Sequence, residues 1–441
     1  MEISSNLSKE FLEKYKSISI KNISYVDIQR IKINEGVDLK KSQSDNILHF
    51  VWLGIPSEAM DMYLRVWKHH YPSYKIILWY DSDFIFSGVY REQLNLKDRL
   101  NKKVKFLLEW QDSLYEEFLT IKGVNPLEEL LESHDIKEFD RNNEICKIKS
   151  NYSFVDVRDI REEGVLYSNE VEKCYTKEVI LRANLACASD ILRLCILKKF
   201  GGVYLDVDTL PCLDHIFKTA KNSLPHDVFY CKEIEEYKSS LYLEKFSKKQ
   251  KEENSVLAKN SCNLEHFSHE HIKLLQQDIR QHNIEDIIEK PFMMHEKFLM
   301  LGVDKVEKNA FYNNVIVAKK ESRTLSILIR EILKRYREIE NKNYDNYETA
   351  KQYNEIYNSG YLGRLVGYRL DGLVDVPNTT ISLTGPNVIL EVLLGLAYKV
   401  LKLSKQHDPI KVAAILQSEK YGIVCGNLIT HTNEQSKSSW M

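Results

Sequence analysis

The sequence predicts an α/β fold: a Rossmann-like core with a mostly parallel central sheet, interrupted by large helical insertions. Three observations carry this prediction. ILHFVWLG (Ile47–Gly54) and KIILWYDSD (Lys75–Asp83) are continuous apolar runs, the composition of strands buried on both faces. The segment between them opens with Pro56 and Ser57, a helix start, and runs to His70. Strand, helix and strand make one βαβ unit of the nucleotide-binding kind. Ligands in such sheets bind beyond the carboxyl ends of the strands, where Trp52 falls.

Taken in order, residues 1–45 are polar and predict an N-terminal helical extension, with a helix near Leu7–Tyr15. Residues 46–441 are expected to form one elaborated domain. MEISSNLSKEF has neither a basic start nor an apolar run, so no signal peptide is expected. A helical insertion is predicted over about 84–178, with one long helix across Leu96–Lys122 carrying apolar Leu100, Val104, Leu107, Leu108 and Leu114. A second, charged helical insertion is predicted over about 215–305. Its His266, His269, His271 and His282 make no H-E-x-x-H or paired-cysteine pattern, so they read as solvated helix faces and not as metal ligands.

Between the insertions lies the stretch that organises the chain, NLACASDILRLCILKKFGGVYLDVDTLPCLD, Asn184–Asp214. Leu185, Ala188, Ile191, Leu192 and Cys195 follow a helical period, and Gly201 and Gly202 close the helix and let a ligand approach closely. In VYLDVD the period becomes two. Tyr204, Asp206 and Asp208 then share one strand face, with the two acids' Cα atoms roughly 6–7 Å apart. Asp190 and Arg193, spaced i,i+3, share a helix face. Two hard oxygen ligands at a strand end suit Mg²⁺ or Mn²⁺, ions that take their remaining ligands from water and substrate phosphates. A bare Asp-x-Asp also fits a solvated exit from a strand.

Downstream, Phe311–Tyr336 reads as a strand, VIVAKK, and then an amphipathic helix, with Asn313 at the strand's start or in a turn before it. TTISLTGPNVIL (Thr379–Leu390) reads as strand-to-helix, with Pro386 in the first helical turn. Val388–Leu401 is the most apolar stretch, but Glu391 and Lys399 break it and it is too short to span a bilayer. With 441 residues, 43% hydrophobic and 29% charged, the chain reads as soluble and globular. A net charge of −2 argues against a nucleic-acid groove or a broad membrane-binding face. Eight scattered cysteines without a C-x-x-C pair predict reduced thiols and no structural zinc.

ASDILR, GG-x-YLDVD and the LP that follows resemble the catalytic core of the large clostridial glucosylating toxins and related bacterial toxin and effector glycosyltransferases. HFVW-x-G, the Asn313 strand, TGP and the terminal Ser438-x-Trp440 extend the resemblance from about Ile47 to Trp440. It implies a GT-A fold and a retaining, metal-dependent hexosyltransferase. In that family a sugar moves from a UDP-sugar to a hydroxyl of a host small GTPase of the Rho or Ras family. The resemblance implies that Trp52 stacks on uracil beside Val51 and Leu53, and that Leu185, Ser189 and Tyr204 line the donor. It gives Asp190, Arg193, Asp206 and Asn313 to the sugar, and Asp206, Asp208 and Ser438 to Mn²⁺ or Mg²⁺. Trp440 belongs to a C-terminal lid over about 430–441.

Two positions depart from the family pattern. Gln435 stands where the family has a metal-binding glutamate, with Glu434 beside it, and Gly88 stands where it has an asparagine. Tyr312 and Asn314 flank Asn313 and are not small, which in the family favours UDP-glucose over UDP-N-acetylglucosamine. A monomeric secreted effector acting in the host cytosol is implied. Residues 1–45 are too short for the family's four-helix bundle that seats the enzyme on membrane, so only weak membrane association is expected. Two other readings share these motifs: a polysaccharide or lipopolysaccharide glycosyltransferase, and a non-catalytic nucleotide-sugar or GTPase-binding module.

Overall fold

The computed structural model describes residues 41–56, 58–101, 104–123, 125–136, 140–250, 267–286, 289–295, 297–303, 311–345, 361–371, 379–416 and 428–429. Its strands are β1 (Lys41–Gln43), β2 (Ile47–Val51), β3 (Lys75–Tyr80), β4 (Asp156–Asp159), β5 (Gly202–Leu205), β6 (Leu210–Pro211), β7 (Met293–His295), β8 (Met300–Val303), β9 (Phe311–Ala318) and β10 (Leu428–Ile429). The central sheet runs β4–β3–β2–β5–β9–β8. Its first four strands are parallel, while β9 lies antiparallel to both β5 and β8. Strands β2 and β3 are buried almost throughout, as their unbroken apolar runs require.

The helices that matter for the site are α1 (Glu58–His70), α2 (Ser87–Asn101), α3 (Val104–Thr120), α4 (Pro126–Ser133), α5 (Arg141–Asn151), α6 (Asn169–Thr176), α7 (Leu185–Phe200), α8 (Lys218–Ser223), α9 (His226–Phe229), α10 (Lys232–Gln250), α11 (His269–Gln281), α12 (Arg323–Asn341), α13 (Thr379–Leu383), α14 (Pro386–Val400) and α15 (Pro409–Leu416). Helices α7, α12 and α14 bury their apolar residues in the main core around the sheet. A second core lies between α1 and a lobe built from α8 to α11, with Tyr63 and Val66 of α1 meeting Phe217, Phe229, Tyr242, Phe246 and Leu275. Helix α1 therefore serves both: its Leu64 and Trp67 face the sheet.

Several elements differ from the sequence expectation. The long helix across Leu96–Lys122 is two helices, α2 ending at Asn101 and α3 beginning at Val104. The insertion over 84–178 contributes β4 to the sheet. DVRD carries three charges in four residues, which an edge strand accepts and a central one does not. The insertion over 215–305 ends early, because β7 pairs with β1 and β8 joins the central sheet. His282 is no solvated face either: its ring is 6.0 Å from His215, which is 5.9 Å from His70. His266 lies outside the described residues. TTISL is helical despite its β-branched residues, because the Asp371 carboxylate accepts the backbone N–H groups of Thr379 and Thr380 and caps the turn.

Gly201 and Gly202 have φ of +72° and +92°. A Cβ at Gly201 would meet the Lys320 backbone nitrogen at 2.6 Å, and one at Gly202 the Ile47 carbonyl at 2.8 Å. The close approach these glycines permit is therefore of the protein's own backbone and not of a ligand. Among the described residues one apolar helical stretch, Thr379–Val400, is long and apolar enough to cross a membrane, but 67% of its apolar window is buried inside the protein, as in a core helix. None of the six described cysteines forms a disulfide.

Candidate active site

The chain runs β2, β3, β4 outward, then returns to place β5 on the other side of β2. Strand order thus reverses between β2 and β5, the place where open α/β sheets bind ligands beyond their carboxyl ends. Trp52 is the first residue past β2, and Asp206 the first past β5. Trp52 is fixed by its backbone N–H, which donates to the Trp79 carbonyl at 3.0 Å. Its ring is half-buried, and the indole N–H has no acceptor among the described residues. Val51 is buried and Leu53 half-buried. Gly54 (φ +96°) then turns the chain past Gly88, whose own Cβ position faces open space.

The strand stops at Leu205, so Asp206 and Asp208 do not alternate along a strand face as VYLDVD suggests. They open a tight turn, closed by Thr209 N–H donating to the Asp206 carbonyl at 3.0 Å. Two contacts pin this turn. The Trp67 indole donates to the Thr209 carbonyl at 2.7 Å, and the Asp206 N–H donates to the Asn314 carbonyl at 2.8 Å.

Helix α7 supplies the other half. It is approached through a π-helical turn, Lys177–Leu181, and Ala183 at φ +48°. The Asn184 side chain then caps it by accepting from Cys187 N–H at 2.9 Å. Asp190 and Arg193 share a face, as their spacing predicts, and pair at 3.2 Å. Arg193 also pairs with Asp206 at 3.1 Å, lies over the Tyr204 ring at 4.5 Å, and donates to the Asn313 carbonyl at 2.7 Å. Asn313 lies within β9, not in a turn before it, and its amide donates to Asp190 Oδ1 at 2.7 Å. Thr384 donates to Asp190 Oδ2 at 2.9 Å. The Tyr204 hydroxyl donates to Asp206 at 2.6 Å and lies 3.5 Å from that of Ser189.

The electrostatics are unbalanced. Burial raises Asp190 to about 6, against the opposing pull of Arg193, Thr384 and Asn313. Burial and then the neighbouring Asp206 charge push Asp208 up to about 7. Burial disfavours the Arg193 cation, but Asp206, Tyr204 and Asp190 outweigh it and hold the guanidinium charged. One buried acid, Asp190, and one half-buried acid, Asp206, thus lean on one arginine.

The structure therefore brings together Asp190, Arg193, Asn313, Ser189, Tyr204 and Asp206, with Asp208 on the same turn. Asp190 is wholly inaccessible, and Arg193 and Asn313 nearly so. Ser189, Asp206 and Asp208 keep partial exposure, as do Trp52 and Leu53. Leu185 is buried at the start of α7. Gln435, Ser438, Trp440 and Glu434, with the rest of the expected lid, lie outside the described residues. Sequence reasoning missed Thr384, reading Thr379–Leu390 only as a strand-to-helix segment, and missed Trp67 as the anchor of the acid turn. A threonine directly before Gly-Pro was the available signal for the first. No signal in the sequence points to the second.

The TcdA/TcdB catalytic glycosyltransferase domain family matches residues 46–97 and 97–359, more than half of the chain. The chain belongs to that family. Toxin A of Clostridium novyi is 25% identical to this TcdA/TcdB-type domain across 100% of the chain and 22% of its own length. Toxin B of Clostridioides difficile is 23% identical across 99% of the chain and 20% of its own length. The chain thus spans about a fifth of the length of these relatives. Among solved structures, the catalytic domain of alpha-toxin from Clostridium novyi aligns with TM-score 0.67 and 20% identity, covering 100% of this chain and 89% of that one. The UDP-bound glycosyltransferase domain of the YGT toxin aligns with TM-score 0.61 and 20% identity, covering 90% and 82%. The fold is the GT-A fold of the toxin glycosyltransferases, and the TcdA/TcdB-type domain is a glycosyltransferase.

Proposed function

We propose that this domain is a retaining glycosyltransferase. It moves a sugar, glucose before N-acetylglucosamine, from a UDP-sugar to a hydroxyl of a host small GTPase of the Rho or Ras family. It acts as a secreted toxin or effector in the host cytosol. The observation that carries the donor site is the position of Trp52 and of the Asp206–Asp208 turn at the ends of adjacent parallel strands, where strand order reverses. The UDP-bound YGT toxin domain shares this fold.

A divalent cation fits the residues present. Asp208 is a hard oxygen donor pushed up to about 7 by burial and the Asp206 charge, and a nearby dication relieves that cost. Asp206 and Asp208 would hold Mn²⁺ or Mg²⁺, joined by Gln435 or Glu434 and by Ser438. Bound there, the ion would offset the charge that develops on the departing diphosphate. The chain's own residues do the rest. Trp52 stacks on the base. Asp206, pinned by Tyr204 and Arg193, meets the ribose or sugar hydroxyls. Asp190 and Asn313, locked to each other, hold Arg193 and set the sugar for front-face attack by the acceptor hydroxyl. Trp440 shuts the donor in.

The test is mass spectrometry of host-cell lysate incubated with the protein, UDP-glucose or UDP-N-acetylglucosamine, and Mn²⁺. A hexose on a small GTPase is the expected product. Label on glycan alone, or donor binding with neither hydrolysis nor transfer, would contradict the proposal.

A further inference from the structure

Thr384 stands outside every role assigned above, yet among the described residues its hydroxyl is the single donor to Asp190 Oδ2, at 2.9 Å. We propose that Thr384 is a positioning residue of the donor site, holding the Asp190 carboxylate in the one orientation that lets Arg193 and Asn313 present Asp206. This inference rests on the donor-site reading above.

Asp190 is wholly buried, and its Oδ1 takes the Asn313 amide at 2.7 Å and the Arg193 guanidinium at 3.2 Å. The terminal torsion of an aspartate is broad and nearly two-fold, so partners on one oxygen alone do not fix it. A buried carboxylate oxygen left without a donor is also costly. The same Arg193 nitrogen that meets Asp190 also meets Asp206 at 3.1 Å, so any turn of Asp190 is felt at the acid pair.

Proton inventory fixes the direction of the Thr384 bond. A carboxylate accepts only, so the one hydroxyl proton of Thr384 goes to Asp190. The Cys187 thiol, 3.0 Å from the same hydroxyl, must then donate to it. Burial and the Glu178 charge push that thiol well above its usual range, so it keeps the proton it needs to donate. The protein builds an unusual amount of structure to bring Thr384 here. The helix that ends just before Thr384, α13, is capped by Asp371, which Arg182 holds at 2.9 Å. The Thr380 hydroxyl accepts from Asn184, the cap of α7, at 2.7 Å. The two ends of α13 are thereby bonded to the same helix that carries Asp190. A Cβ at Gly385 would come within 2.9 Å of Ile381 Cα, so a glycine is required for the fold-back that aims Thr384 inward.

The experiment compares Thr384→Val, which keeps the shape and loses the hydroxyl, with Thr384→Ser, which keeps the hydroxyl and loses a methyl. Steady-state hydrolysis of UDP-glucose and of UDP-N-acetylglucosamine is measured on the full chain with Mn²⁺, alongside thermal unfolding. The expected result is a fall in kcat of at least about 10-fold for Thr384→Val with KM within about 3-fold, and recovery to within about 3-fold of the parent in Thr384→Ser. Should Thr384→Val not fold, Thr384→Ala replaces it and the same split decides. An unchanged kcat in a folded hydroxyl-free variant overturns the proposal. So does a parallel loss in the serine and valine variants, which would mean that Thr384 only packs. A parent protein that hydrolyses neither donor would instead bring down the donor-site reading, and the role of Thr384 with it.

Discussion

The donor end of the sheet and the helical lobe both bury titratable groups, and they settle them in opposite ways. In the lobe most find a protein partner, although the second ring nitrogen of His215 has none among the described residues. His70 meets the Tyr242 hydroxyl at 2.7 Å, His69 the Ile284 carbonyl at 2.7 Å, and His215 the Cys212 carbonyl at 3.1 Å. Lys238, fully buried, pairs with Glu235 and lies 3.9 Å from Asp214. At the donor end the account does not close: among the described residues Asp190 and Asp206 share a single cation, Arg193, and Asp208 on the same turn is pushed up to about 7. A region whose buried charges are paired internally is structural. One left short of positive charge is where a cation or ligand enters.

The largest test of this contrast removes the cation on each side. Arg193→Met should lower stability by about 3–5 kcal/mol, because wholly buried Asp190 loses the one cation paired with it among the described residues, and should abolish activity as well. Lys238→Met should cost a similar amount, about 3–5 kcal/mol, because buried Glu235 loses the ammonium paired with it, but should leave donor hydrolysis within about 2-fold. Urea unfolding with a UDP-glucose hydrolysis assay reads both. Equal loss of activity in the two variants would erase the distinction. Next in size, Asp206→Asn should reduce donor hydrolysis at least about 100-fold while moving the thermal midpoint by only a few degrees.

Acid should act on the lobe and on β2 alike, since burial also lowers His49 to about 4. Burial, and then the charges of His215, His69 and His282, lower His70 to about 3. An unfolded imidazole titrates near 6.5, so between those values only the unfolded chain takes the proton, and stability falls as pH drops through that window. At pH 5 the loss is about 2 kcal/mol from this group alone. Hydrogen exchange should therefore lose protection at pH 5 in α10 and α11 and also in β2, which carries His49.

The smallest effect has the opposite sign. Asp208 is raised in the folded state, so its stabilising contribution is present at low pH and lost as pH rises toward about 7. Asp208→Asn should accordingly stabilise the metal-free protein at pH 8 by about 1 kcal/mol, allowing for solvent screening. A gain in thermal midpoint on adding Mn²⁺ should appear in the parent and vanish in the variant.

The parts legible in the sequence were those fixed by short-range pattern. The runs Ile47–Val51 and Lys75–Tyr80 announced buried strands, and the i,i+3 spacing of Asp190 and Arg193 announced a shared face. What stayed hidden depends on long-range partners. Thr379 and Thr380 look like strand residues until Asp371, eight residues upstream, supplies the cap. The strand end at Leu205 is set by where pairing with β9 stops, and alternation in VYLDVD could not show it. Thr384 and Asp190 are 194 residues apart in the chain, and only the folded arrangement makes them neighbours.

Binding of Mn²⁺ in the presence of UDP, followed by electron paramagnetic resonance of the free ion, probes the acid turn most directly. One ion per chain should be taken up by the parent, with affinity reduced at least about 10-fold in Asp208→Asn and in Asp206→Asn. Uptake with unaltered affinity in both variants would show that these carboxylates do not hold the cation, and the assignment of the site at the β2–β5 switch point would be contradicted.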